Sequence, residues 1–173
     1  MRHNTFTNLV RWAGALLLAA ALAGLAGCAS SVVYHSFAFD ARIDSPDITI
    51  LDYQYGNSLQ PSARARELDI KRNDIRQYVS TSGEMLRGDY LYVKWMVKNT
   101  LAIYEEKIDL KILLPRNIEN NKVYFIVKKD RLFVYLITPD KRSPADMPNG
   151  PKKFNALKTI TLSSNVGTLV ESK

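Results

Sequence analysis

Cysteine occurs once in the 173 residues, at Cys28, so no disulfide can close within the chain and stability has to come from packing. Histidine is nearly as scarce, with His3 and His35 alone. No Gly-x-Ser-x-Gly stretch presents a serine on a nucleophile elbow. A phosphate-cradling loop is missing too, because Gly83 and Gly88 flank Met85, Leu86 and Arg87 with no Lys-Ser or Lys-Thr after them. Glu105 and Glu106 are adjacent, but successive side chains of a strand point to opposite faces, so these two do not make an acid and base pair by themselves. Internal repeats and low-complexity tracts are absent. The expectation is a chain that is not an enzyme, with a carboxylate pair assembled from distant strands as the one catalytic route left open.

What is present begins at the N-terminus. Arg2 and Arg11 precede an unbroken run of Ala, Leu and Gly over residues 13–27. The run falls short of the roughly 20 apolar residues that cross a bilayer, and with its basic flank it reads as a secretory signal. Leu25, Ala26, Gly27 and Cys28 resemble the lipobox at which bacterial lipoprotein signals are cut. The resemblance implies recognition of Leu25, Ala26 and Gly27 by a type II signal peptidase, with Cys28 as the new N-terminus and lipid attachment site. That cysteine would carry a thioether-linked diacylglycerol and an amide-linked acyl chain, and more than one chain is what stable anchoring requires. Ala29 follows the cysteine, where lipoproteins kept at the inner membrane commonly have Asp, so the implied address is the outer membrane, facing the periplasm. An ordinary secretory signal with an incidental cysteine is the alternative, and the Ala-Gly-Cys ending argues against it.

The expected organisation is therefore a signal peptide over 1–27 and a single domain over 28–173, large enough for its own core. Removing Arg2 and Arg11 takes Lys and Arg from 24 to 22 against 17 carboxylates, a net charge of +5. In the periplasm that charge faces anionic lipid headgroups, lipopolysaccharide phosphates or an acidic protein rather than nucleic acid, and an ordinary solvated surface would carry it equally well. His35 remains as the lone histidine, so zinc or copper clusters of His and Cys cannot assemble, and it is expected to be a strand residue. No cofactor is expected beyond the covalent lipid. Ala29, Ser30 and Ser31 alone separate Cys28 from the first apolar run, about 10 Å at 3.3 Å per residue.

Alternation with a period of two dominates the rest. Over residues 90–98, Leu91, Val93, Trp95 and Val97 share one face, and Tyr92, Lys94, Met96 and Lys98 the other. The next run places Tyr104, Ile108, Leu110, Ile112 and Leu114 inward, ended by Pro115, with a short hairpin at Asn99 and Thr100 that lacks the usual Gly. Residues 123–128 and 132–138 form a second hairpin around Lys129, Asp130 and Arg131, and residues 132–137 have no polar face, as suits a strand covered on both sides. Weaker strands fall at 32–39, 48–55, 157–162 and 166–170, about eight in all. Residues 139–153 read as a long irregular loop, and residues 61–77 break the strand pattern, with Leu68 and Ile75 spaced for a short helix. The fold class is all-β or mostly β, an antiparallel sheet forming a small sandwich or barrel.

Two basic irregular segments are candidate partner-binding surfaces, Arg64, Arg66, Lys71 and Arg72 in the first and Lys141, Arg142, Lys152 and Lys153 in the second. Asp69, Asp74, Asp140 and Asp146 lie close enough in sequence to balance them into solvated loops instead. The stretch from Gly88 to Lys98, then Tyr104-Glu105-Glu106, Leu114-Pro115 and Val134 to Pro139, is similar to a family of small, largely uncharacterised proteobacterial lipoproteins, some encoded near type VI secretion effectors. The resemblance implies an acylated periplasmic immunity partner for such an effector, which is a non-enzymatic module binding one protein. A structural or assembly lipoprotein of the outer membrane is the alternative expectation.

Overall fold

The computed structural model describes residues 32–145 and 150–171, so the expectations for Leu25, Ala26, Gly27, Cys28 and Asp146 lie outside the described residues. In chain order the elements are β1 (Val32–Asp40), α1 (Ala41–Asp44), β2 (Ile48–Tyr55), α2 (Glu67–Lys71), β3 (Tyr78–Leu86), β4 (Tyr90–Val97), β5 (Ile103–Asp109), β6 (Lys122–Lys128), β7 (Arg131–Lys141), a 3-10 turn (Lys152–Phe154), β8 (Leu157–Val166) and β9 (Thr168–Glu171). One sheet runs β3-β1-β6-β7-β8 and the other β2-β4-β5-β9. Neighbours are antiparallel except β1 and β6, which pair in parallel through Ser36 and Lys122. The sheets stay separate and pack face to face, so the architecture is a β-sandwich rather than a closed barrel.

The core between the sheets follows the period-two pattern. Leu91, Val93, Trp95 and Val97 are buried against Phe37, Phe39, Phe125, Val134 and Leu136 of the facing sheet. β6 and β7 are apolar on both faces, and their second face packs Tyr124, Ile126, Tyr135 and Ile137 with Ala38 under Phe154 and Leu157. Both hairpins use a non-glycine residue in the left-handed region, Leu101 at φ 57° and Lys129 at φ 54°, which is how they close without the expected Gly. Gly167, at the passage from β8 to β9, does need to be glycine, since a Cβ there would overlap the Trp95 ring. Trp95 Nε1–H donates to the Lys129 carbonyl at 2.8 Å across the same corner.

Four expectations are corrected. A ninth strand, β3, pairs with β1 along its whole length; its inward positions are Val79, Thr81, Gly83 and Met85, too polar to show the apolar half of the pattern. β5 ends at Asp109 rather than at Pro115, because the Asp109 carboxylate accepts the Lys111 N–H at 2.8 Å and Leu114 N–H bonds the Leu110 carbonyl at 3.0 Å, coiling residues 110–114 into a turn. Leu110 and Leu114 still reach the core, whereas Ile112 is driven out to 86% exposure. The expected loop over 139–153 starts later, since β7 runs on to Lys141 with Pro139 where the ladder to β8 is broken, a position that needs no N–H.

His35, on β1, is fully buried. Its Nδ1 donates to the Val33 carbonyl at 2.8 Å, which leaves Nε2 to accept the Tyr55 hydroxyl at 3.0 Å. Burial holds the imidazole below its ordinary value of 6.5, while the Val33 carbonyl pulls weakly the other way. The unfolded chain therefore binds the proton more readily than the folded one, and the neutral histidine contributes stability that is complete above pH 6.5 and lost as pH falls from there through the depressed folded value. Urea unfolding followed from pH 8 to pH 5 should show stability dropping by at most about 1.4 kcal/mol per pH unit from this group, and His35→Gln should flatten that dependence.

Candidate functional site

Between β2 and β3 the chain makes a crossover that builds a groove of about 730 Å³. At its start Gly56 takes φ 53°, and a Cβ there would stand 2.7 Å from Gly88 Cα, so the two connections cross at glycines. The chain then doubles back along the free edge of β2. Tyr55 N–H donates to the Ala63 carbonyl at 2.8 Å and Ala65 N–H to the Tyr53 carbonyl at 2.9 Å, with Gln54 and Arg64 opposite each other. Farther along the same edge, Gln77 Oε1 accepts Ile50 N–H at 2.8 Å, and its Nε2 donates to the Ile50 carbonyl at 3.0 Å and the Ile75 carbonyl at 2.8 Å. An exposed edge is thereby covered by the crossover itself.

The groove alternates sign. Arg64, Arg66 and Arg76 stand among Asp52, Glu67 and Asp69, while Leu59 and Ile70 expose apolar surface along it. Arg66 holds Asp69 in a two-pronged pair at 2.7 Å on each arm, and that hydrogen bond pulls the Asp69 carboxyl below its ordinary range and raises the guanidinium. Asp52 moves the opposite way, raised by burial more than the Tyr53 N–H and Lys94 lower it. Burial also lifts the Tyr53 phenol to about 12, although Arg76 nearby opposes the shift.

The structure divides the eight basic residues singled out in the sequence. Arg64 and Arg66 line the groove, joined there by Arg76, whereas Lys71 and Arg72 are exposed beside it on and after α2. The second segment lies on the outer side of the five-stranded sheet. Lys152 gives its backbone N–H to Asp44 Oδ1 at 2.9 Å, and Asp44 Oδ2 accepts the buried Tyr124 hydroxyl at 2.8 Å, which pushes that phenol well above its usual range after burial has already raised it. The Lys153 ammonium lies 5.0 Å from the centre of the Tyr78 ring, and the Arg42 guanidinium 4.7 Å from the same ring while paired with Asp40 at 2.9 Å. Lys122, over Phe154 at 5.0 Å, is lowered by burial and then by the Lys153 charge. Lys141 is exposed at the end of β7, and Arg142 is half-buried with its N–H on the Ala156 carbonyl at 3.0 Å. Of the second segment, Lys153 is thus gathered with Arg42 and Lys122, and none of its four residues lines the groove.

Arg76, Asp52, Arg42 and Lys122 were not candidates from sequence. Asp52, Arg42 and Lys122 lie far in sequence from the two basic segments and are brought to them by the register of the strands, while Arg76, at the end of the 61–77 segment, is returned to Arg64 and Arg66 by the crossover. Among the described residues, no group of three or more His, Cys, Asp or Glu side chains is placed to hold a metal ion, and no helix is long and apolar enough to cross a membrane. Compared with known proteins, the chain matches no family model, no curated protein and no solved structure.

Asp44 is the tie between α1 and the 150–157 segment. Asp44→Ala should leave the buried Tyr124 hydroxyl without its acceptor, at a cost of about 1–3 kcal/mol in urea unfolding. It should also raise the hydrogen-exchange rate of the Lys152 amide well before the β7 amides are affected.

Proposed function

We propose that the chain is a lipoprotein anchored through Cys28 in the outer membrane and facing the periplasm. There it is a non-enzymatic module that binds one protein, as an immunity or inhibitor protein against a secreted effector. The groove of the crossover is the observation that carries this reading. Three arginines and three carboxylates interleaved around exposed Leu59 and Ile70 match the anatomy of a protein interface, in which arginine and apolar side chains supply contact energy and complementary charge selects the partner. The lipobox resemblance of Leu25 to Cys28 supplies the anchor, and a rigid sandwich supplies the frame on which the crossover is held.

The test uses the full-length lipoprotein, purified in detergent, to capture proteins secreted by related strains, together with competition assays on a strain deleted for it. Capture of one secreted effector, and sensitisation of the deletion strain to cells that deliver it, are expected. Arg64→Glu combined with Arg76→Glu should weaken the complex by about tenfold or more, while Lys71→Glu, outside the groove, should change it by less than about twofold. Binding unchanged by the groove variants would remove this site. A deletion strain that becomes detergent-sensitive without any change in competition would make the protein a structural or assembly component of the outer membrane.

A further inference from the structure

Ile112 is the most exposed large apolar side chain among the described residues, at 86%, although it sits in a run that alternates as a buried strand would. It is not a frayed position. Arg87 donates from Nη2 to the Lys111 carbonyl at 2.9 Å and from Nη1 to the Pro115 carbonyl at 3.0 Å, and Leu110 N–H bonds the Asp89 carbonyl at 2.9 Å. Leu110 and Leu114 pin the turn to the core from within, so Ile112 is held outward on a braced support.

The same end of the sandwich is where β1 begins. Val32 pairs with Leu86, the residue before Arg87, and the Tyr34 carbonyl accepts Asn120 N–H at 2.8 Å from the connection that follows the turn. Val32 and Tyr34 are themselves half or more exposed. Lys111 and Arg116 flank Ile112, with Arg87 behind them; the carboxylates of this end are Asp109, which is already bonded to the Lys111 N–H, Glu119, Asp89 and, opposite Tyr34, Glu84. One end of the fold therefore combines a protruding apolar tip flanked by the exposed Lys111 and Arg116, two further exposed apolar side chains and the point where the N-terminal segment enters.

Four residues lead from Cys28 to Val32, a reach of at most about 14 Å when fully extended. An acylated Cys28 would hold this end, and no other, within that distance of the acyl chains. We propose that the domain docks end-on against the lipid leaflet, with Ile112 entering the boundary between headgroups and acyl chains and Lys111 and Arg116 on the headgroup phosphates. The proposal rests on the lipid anchor of the preceding reading. It goes beyond that reading in giving the bound domain a defined orientation, with the β6–β7 hairpin at Lys129 and Asp130 pointing away from the membrane.

The test is made on the acylated full-length protein, reconstituted into vesicles of phosphatidylethanolamine and phosphatidylglycerol. With Cys28 acylated there is no other thiol, so Ile112→Cys and, at the opposite end, Val166→Cys each take a single environment-sensitive fluorophore. Both positions are exposed, so neither label disturbs the core. Brominated lipids should quench the Ile112 label by about half or more and the Val166 label by less than about a tenth. Equal quenching at the two positions, or none at Ile112, would overturn end-on docking while leaving the anchor in place. Mass spectrometry of the same preparation reads the anchor separately, and a Cys28 without acyl chains would bring down the anchor and the docking together.

Discussion

The burial of β6 and β7 on both faces is the constraint from which the rest of the architecture follows. Packing the two sheets together satisfies one face of each strand and leaves Tyr124, Ile126, Tyr135 and Ile137 on the other. A second cover is required, and the chain supplies it twice, with α1 immediately after β1 and with the 3-10 turn ahead of β8 together with Leu157 at its start. Asp44 fastens the two covers by accepting from Tyr124 on one oxygen and from the Lys152 amide on the other. The 150–157 part of the connection after β7 is therefore a structural layer, and Lys152 and Lys153 are set on the outer surface by the need to cover a sheet.

The charge of the chain is distributed under the same discipline. Arg42 is held by Asp40 and Arg66 by Asp69, while Lys153 shares the Tyr78 ring with Arg42. A net positive chain thus presents an alternating groove and a cationic cluster around Tyr78 rather than a single basic field. Alternating charge of this kind discriminates among partners and guides their approach more than it adds affinity.

The strongest strands were legible because their residues obey one rule at a time. Leu91 to Val97 alternate, and Leu132 to Ile137 are apolar throughout, and both patterns translate directly into one covered face or two. β3 was hidden because its inward positions include Thr81 and Gly83, which fill space beside bulky neighbours such as Phe37 without advertising themselves as core. The end of β5 is concealed because apolar spacing continues through Leu110, Ile112 and Leu114; Asp109, which starts the turn, is local, but Arg87, which braces it, lies more than twenty residues upstream. Of the groove, Arg64 and Arg66 stood out through local density of charge. Asp52 could not, since its proximity to those two is created by the crossover folding back on the edge of β2, and Arg76, although in the same 61–77 segment, is set beside them only by that return.

β1 is the first element of the described chain and also an interior strand of its sheet. It is laddered to β3 through nine residue pairs on one side and to β6 through three on the other. Backbone hydrogen bonds in such ladders stand across the strand direction. Tension applied through the N-terminal segment along β1 therefore meets these rungs side by side, in shear, and not one after another as in the unzipping of a terminal hairpin. A domain hung from its lipids by this strand would be mechanically toughest along the line on which it is pulled.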